Sequence, residues 1–237
     1  MRQPTRAEVC VAACADLFAG DGEILASPMG LVPSLGARLA RLTAEPDLLL
    51  SDGEATLLTA SGVAEGWLPY RAVFDVLAHG RRHVVMGANQ LDRHGNQNIS
   101  CIGRHERPDR QLLGFRGAPG NTVNHRTSYW VPRHSRRVFV PAVDVVSGVG
   151  YDRDGGRFHD VHRVVTNLAV LDFGGPGHTM RLVSVHPGVT EAEVVEQTGF
   201  ELAQGDVAQT RLPNEAELAL LREELDPRGL REREVRS

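Results

Sequence analysis

The chain of 237 residues contains no lysine: its 26 basic side chains are all arginine. That absence excludes Schiff-base enzymes of the aldolase or pyridoxal-phosphate kind and a lysine-dependent P-loop. Arginine does not deprotonate in a protein, so histidine is the sole basic side chain able to act as a general base. Cysteine is scarce too, and Cys10, Cys14 and Cys101 are too few for a disulfide framework. No apolar run reaches the roughly 18 residues of a membrane span, and the opening MRQPTRAEVC lacks the apolar stretch of a signal peptide. The expectation is a cytoplasmic protein with no membrane partner. A net charge of −4 gives no overall attraction to nucleic acid. The G-x-S-x-G, H-E-x-x-H and post-strand G-x-G-x-x-G signatures are all missing.

What is present is an ordinary globular composition, 41% apolar and 24% charged. No repeat or linker interrupts it, so a single domain over residues 1–237 is expected. Thr5-Arg6-Ala7-Glu8 has capping-box spacing, and Val9, Ala12, Ala13 and Leu17 follow at helical intervals up to Gly20. Glu23–Ala26 reads as a buried strand, Pro33–Thr43 as a helix, Asp47–Ser51 as the next strand. Leu68–Ala78 is amphipathic, and Arg82–Gly87 is a buried strand. This alternation favours parallel pairing in a layered α/β fold.

Further on, Arg137–Val143 and Arg163–Phe173 read as strands, with Thr179–Val185 alternating beside the latter. Thr190–Glu193 opens a short helix that stops near Gly199, and a last helix runs from Asn214 to Leu225. The arginine-rich tail Arg228–Ser237 is expected in solvent or on a partner.

Three loops stand out. Ser51-Asp52-Gly53-Glu54 follows a strand and sets two carboxylates around a glycine. Loops after strand C-termini carry ligands in open parallel sheets, although Ser, Asp and Gly also simply end strands. Gly87–Asn98 concentrates side-chain amides, among them Asn89, Gln90, Asn96 and Asn98; each can donate and accept at once, or satisfy its neighbours in a turn. Gly114–Asn121 is a small-residue loop before Thr122–Trp130, which has the look of a helix; its backbone N–H groups suit an anionic oxygen. His159 and His162 lack a third ligand nearby, so a surface loop fits them better than a metal pair and no metal is expected. Cys10 and Cys14 fit core packing on the first helix, and Arg133, Arg136 and Arg137 form a basic patch with His134. Trp67 fits the core better than a site, though Trp67 and Tyr70 are placed to cover an apolar ring near the first loop.

Taken together, the loops resemble the β subunit of class I coenzyme A transferases, especially the glutaconate type. Gly87-Ala88-Asn89-Gln90-Leu91-Asp92 with Gly95-Asn96-Gln97-Asn98 is similar to the family's G-A-x-Q-[VI]-D-x-x-G-N-x-N. Thr166–Leu171, His186–Thr190, Glu196–Phe200 and Leu221–Pro227 look like its C-terminal block. The resemblance implies an open α/β layered fold with a mixed, largely parallel sheet. It also implies an α-subunit partner in an α2β2 heterotetramer, with the active site shared between the chains. Coenzyme A would arrive as part of a thioester substrate, not as a resident cofactor.

The departures from the family matter. Its catalytic glutamate aligns with Gly53, leaving Asp52 and Glu54 as neighbouring carboxylates. Its G-x-G-G-A loop becomes Gly114-Phe115-Arg116-Gly117-Ala118, keeping the Gly117 and Ala118 amides of an oxyanion hole but setting Arg116 where a glycine stood. Arg116, Gly120, Asn121, Asn89, Gln90, Asn96 and Asn98 are the expected substrate and thioester contacts. The pattern looks nearest to a hydrolytic branch of the family, the actinobacterial acyl-CoA hydrolases that open the last steroid ring in cholesterol catabolism by retro-Claisen cleavage of a cyclic β-oxo acyl-CoA. A true CoA transferase using Asp52 or Glu54, and a non-catalytic scaffold for an active α chain, are the alternatives.

Overall fold

Thr5 caps helix α1 (Arg6–Ala15): its hydroxyl accepts from the Glu8 N–H and the Glu8 carboxylate accepts from the Thr5 N–H. The computed structural model describes residues 3–69, 72, 75, 81–114 and 117–235. A 3-10 turn (Asp16–Phe18) ends α1, and strand β1 (Leu25–Pro28), helix α2 (Leu31–Leu42) and strand β2 (Leu49–Ser51) follow. A hairpin, β3 (Thr56–Leu58) and β4 (Ala64–Trp67), precedes β5 (Arg82–Gly87). Two small ribbons come next: β6 (Gln90–Leu91) with β7 (Gln97–Asn98), and β8 (Cys101–Arg104) with β9 (Arg107–Gln111). Then come α3 (Ala118–Asn124), β10 (Arg126–Val131), β11 (Asp160–Thr166), β12 (Ala169–Asp172), β13 (Arg181–Val185), α4 (Glu191–Glu196) and β14 (Ala208–Gln209). Helix α5 (Glu215–Ala219) continues as a π-helical segment, Leu220–Leu225, and α6 (Arg231–Glu234) closes the chain.

Ten strands form one sheet in the order β14-β13-β12-β11-β10-β5-β1-β2-β3-β4. Its centre, β11-β10-β5-β1-β2, is parallel throughout, with antiparallel strands added on both sides. The mixed, largely parallel α/β sheet expected from the sequence is the one observed. Side chains alternate across it: Val85 and Trp130 pack with α1, α2 and the C-terminal helices, while Val84, Met86 and Tyr129 pack with Phe139, Leu171 and Val194 on the other face. Gly36 sets the helix layer, since a Cβ there would sit 2.6 Å from the Cys14 Cβ; α2 therefore lies directly against α1.

Helices α1 and α2 and strands β1, β2 and β5 match their expected types, with β1 beginning two residues late and Arg82–Gly87 matching at both ends, whereas the β3–β4 hairpin is not among the expected elements. The expected helix Leu68–Ala78 falls largely outside the described residues. Five expectations are corrected. Thr122–Trp130 is not one helix: α3 stops at Asn124, and Arg126–Val131 is a central strand buried on both faces, a pattern whose apolar run does not separate strand from helix. Arg163–Phe173 divides into β11 and β12, because Thr166 Oγ1 accepts from the Leu168 and Ala169 N–H groups, both at 3.0 Å, and turns the chain. Arg137–Val143 is no strand: Val138 and Phe139 both donate to the Ser135 carbonyl, Phe139 forms a single bridge with Leu91, and Pro141 has no N–H for a ladder.

The tail is the fourth correction. Arg231 is buried and donates to Glu8 at 2.7 Å and Asp226 at 3.0 Å, while Arg222 donates twice to Glu8 at 2.8 Å. Burial alone raises the Glu8 carboxyl, but Arg222, the Thr5 N–H and Arg231 outweigh it and hold it at about 2. A buried carboxylate on α1 thus docks α6 from the far end of the sequence. Trp67, expected in the core, is 69% exposed on the edge strand β4.

Candidate functional site

The C-terminal ends of β1, β2, β5 and β10 open on one cavity of ≈ 680 Å³, within the range of small-molecule sites and at the edge where parallel sheets bind ligands. Its walls are Met29 and Gly30 after β1, Asp52–Glu54 after β2, and Gly87–Asn89 after β5. Trp130, Pro132, Leu113, Gly114, Ile99 and the first turn of α3 add to them, Arg82 and Met86 line the cavity from β5, and Glu234 reaches in from α6.

Asp52 organises the first loop. Its Oδ1 accepts from the N–H groups of Glu54 (2.8 Å), Ala55 (2.9 Å) and Thr56 (3.1 Å). Partial burial raises this carboxyl, but the backbone donors bring it below the usual carboxylate range. Asp52 is therefore held as an anion of reduced basicity. Gly53 sits at φ +88, and a Cβ there would lie 2.5 Å from the Pro28 carbonyl oxygen. Position 53 accepts no side chain in this conformation, so a nucleophile cannot stand there. Glu54 lies on the rim, exposed and lining the cavity.

Beneath the loop runs a buried polar chain. Gly53 N–H donates to Ser51 Oγ (3.2 Å), which lies 3.2 Å from Ser27 Oγ, and Arg82 Nε donates to Ser27 Oγ at 3.0 Å. Arg82 Nη1 is 3.4 Å from Asn121 Oδ1, and Asn121 Nδ2 donates to Met86 Sδ at 3.3 Å. Arg82 and Met86 share a face of β5, two pleats apart, so the guanidinium lies along the sheet under α3. Burial pulls Arg82 down to about 10.

At α3 the first intrahelical bond runs from Asn121 N–H to the Gly117 carbonyl, at 2.9 Å. Among the described residues no acceptor takes the Gly117 or Ala118 N–H, and both residues line the cavity. On the opposite wall Glu234 accepts from Trp130 Nε1 (2.6 Å) and Val32 N–H (3.1 Å).

Of the expected site residues, Asp52, Glu54, Asn89, Gly117, Ala118 and Asn121 line the cavity. Gly120 does not, and Arg116 and Tyr70 lie outside the described residues. Gln90, Asn96 and Asn98, expected as substrate contacts, do not line the cavity: their amides are consumed internally. Asn98 donates to Gln90 Oε1 (2.7 Å) and the Cys101 carbonyl (2.8 Å), and Gln90 donates to Asp144 (3.0 Å). Asn96 donates to Asp92 and Asp152, both at 2.8 Å. These bonds fix the loop that presents Asn89. His159 donates to the Thr122 carbonyl (2.7 Å), and among the described residues no cluster of metal-ligating side chains occurs. His134 stacks on Phe139 with centroids 4.0 Å apart, and burial lowers it to about 3.

Sequence reasoning missed Arg82, Met29, Trp130 and Glu234. An arginine opening the otherwise apolar strand Arg82–Gly87 was the one readable signal. Nothing local marks Glu234, because its place depends on how the tail docks.

The chain is 60% identical over 243 residues to the cholesterol ring-cleaving hydrolase IpdB subunit of Rhodococcus jostii, covering 98% of this chain and 96% of that protein. The chain belongs to that family. The crystal structure of Rhodococcus jostii RHA1 IpdAB is similar over the whole of both chains, with a TM-score of 0.94 and 58% identity. Glutaconate coenzyme A-transferase from Acidaminococcus fermentans shares the fold, with a TM-score of 0.80 at 22% identity over 94% of this chain and 95% of that one. No protein-family profile matches the chain. The likeness first drawn from the Gly87–Asn98 motif therefore extends over nearly the full length. Among the described residues no helix is long and apolar enough to cross a membrane.

Proposed function

We propose that the chain is the β subunit of a heteromeric acyl-CoA hydrolase that opens the last steroid ring in cholesterol degradation, by retro-Claisen C–C cleavage of a cyclic β-oxo acyl-CoA. Coenzyme A is then part of the substrate, and an α chain completes an α2β2 assembly. The observation that carries the reading against a transferase is Gly53: where the resembled transferases set a nucleophilic glutamate, the Pro28 carbonyl fills the space a side chain needs. A water-derived nucleophile takes that role. A carboxylate at the subunit interface, Glu54 or one from the α chain, activates water for addition to the ring ketone. Asp52, already tied to three backbone donors, caps the loop and is the weaker base. As the ring C–C bond breaks, its electron pair passes into the thioester as an enolate, whose oxygen meets the Gly117 and Ala118 N–H groups. Each such donor is worth about 3 kcal/mol of barrier. Asn89 and Asn121 position the thioester, and Arg116 adds a cation in the same loop.

The test uses the complex with its α chain. Ring opening of a cyclic β-oxo acyl-CoA is expected without any acceptor acid, with solvent 18O entering the new carboxylate. Hydroxylamine is expected to trap no glutamyl-CoA on this chain; a trapped adduct makes it a transferase. Unchanged turnover after single substitution of Asp52, Glu54, Arg116 and Asn121 makes it a scaffold.

A further inference from the structure

The sheet order sets β5 between β10 and β1, so the Gly87–Asn89 wall of the cavity stands between two neighbours. On one side are Trp130 and Pro132 at the end of β10; on the other are Met29 and Gly30 after β1. One side chain joins these neighbours. Glu234 Oε1 accepts from Trp130 Nε1 at 2.6 Å, and Glu234 Oε2 accepts from the Val32 N–H at 3.1 Å, in the first turn of α2. The β1 side packs closely on the carboxylate: a Cβ on Gly30, at φ +108, would lie 3.4 Å from Glu234 Oε1 and 3.8 Å from Trp130 Cδ1. That side is also continuous with the first loop, since a Cβ on Gly53 would lie 3.1 Å from Met29 Cγ.

The tail has anchors of its own. Arg231 is tied to Glu8 and Asp226, Glu232 accepts from Thr5 Oγ1 at 2.6 Å, and Val235 is buried in the core with α1 and α2. The half-buried Glu234 carboxylate adds something different. An anion drawn out of water needs compensating donors, and the indole N–H and the positive end of α2 supply them in charge-assisted bonds. Both donors belong to residues that form or adjoin the cavity wall, so these bonds brace the wall as much as the tail.

We propose that Glu234 is a positioning residue for ring opening: it clamps the end of β10 to the β1–α2 loop across the end of β5, and so fixes the Gly53 loop relative to the Gly87–Asn89 wall. It acts through Trp130 and the Met29–Gly30 segment, not on the reacting atoms. The proposal rests on the acyl-CoA reading above.

The test uses the α–β complex, with turnover measured on unlabelled protein and 19F spectra on protein carrying 5-fluorotryptophan. The resonance missing from Trp130→Phe identifies Trp130. Glu234→Gln keeps the shape of the side chain but sets an N–H donor where an acceptor is needed. It is expected to shift the Trp130 resonance and to lower kcat for a cyclic β-oxo acyl-CoA at least about tenfold per assembled complex, since small misplacements near the chemistry are costly. KM is expected to stay within about threefold, which separates lost positioning from a general loosening of binding. Trp130→Phe removes the indole donor and is expected to lower kcat to a similar degree, which carries the test if Glu234→Gln fails to assemble. The double variant is expected to be no slower than the slower single one, as for two residues in one contact.

Native kcat in Glu234→Gln with the Trp130 resonance shifted, or native kcat in Trp130→Phe, overturns the proposal and leaves ring opening untouched. So does a fall in kcat with the Trp130 resonance unmoved, a KM rise as large as the kcat fall, or losses that add in the double variant. A native complex inert towards the cyclic substrate overturns the acyl-CoA reading, and this proposal with it.

Discussion

Two polar clusters lie on the central strands, and they differ in the property that matters for chemistry. Towards the strand N-termini, His83 Nδ1 donates to Asp21 Oδ2 at 2.6 Å, and Ser128 Oγ lies 2.9 Å from His83 Nε2. That is the order of a nucleophilic triad. Yet Ser128 and His83 are fully buried, Phe18 and His162 pack against the imidazole, and neither residue lines the large cavity or the smaller one beside Tyr151 and Asp160. At the opposite ends of the same strands, the large cavity holds no Ser-His-Asp arrangement among the described residues; it holds a glycine, two free amides, a rim carboxylate and a buried arginine. The lesson is that hydrogen-bonded geometry marks a reactive site only where a substrate has room to arrive. The Asp21 cluster is better explained as strand cross-linking: Asp21 also accepts from Arg126 at 3.0 Å, joining the loop before β1 to β5 and β10.

That contrast breaks in identifiable ways. The largest effect is expected from Asp21→Ala, which strips His83 and Arg126 of a buried partner and is expected to cost about 3 kcal/mol of stability. Denaturant unfolding reads the loss, while turnover per folded complex stays constant; falling turnover with unchanged stability makes the cluster catalytic after all. Next comes Gly53→Ala. Its Cβ meets the Pro28 carbonyl, so the loop must shift, and a misplacement of that size is expected to lower kcat/KM about 100-fold. Stopped-flow or product assay on the ring substrate measures it, and near-native turnover removes the loop from the site. The smallest effect belongs to Ser128→Ala, with about 1 kcal/mol of stability lost and kcat unchanged. A fluorophosphonate probe is expected to leave Ser128 unlabelled; labelling overturns the distinction between the two clusters.

Much of the fold was legible locally. Thr5 and Glu8 announce α1, and the apolar run ahead of Gly87 announces β5, because capping and burial leave short-range patterns. The site was legible in part. Asp52, Glu54, Gly117 and Ala118 stand together in one cavity, since loops after parallel strands converge wherever the strands pair. The amides of Gln90, Asn96 and Asn98 were read as candidate contacts because composition does not reveal whether an amide faces inward. Thr122–Trp130 misled for a related reason: a strand buried on both faces carries no alternation to read.

By its own arithmetic, the sequence excluded lysine chemistry and a disulfide framework and left arginine as the permanent cation of any anion site. Tertiary structure alone decided which of the two buried arginines among the described residues lacks a counter-charge. Arg82 is unlike Arg231 or Arg126 only in what chain crossing brings beside it: neutral oxygens from positions 27 and 121 instead of a carboxylate. The physical reason is range. Caps and periodicities act within a few residues, whereas the electrostatics of a buried charge depend on every group that packing sets within a few ångströms of it.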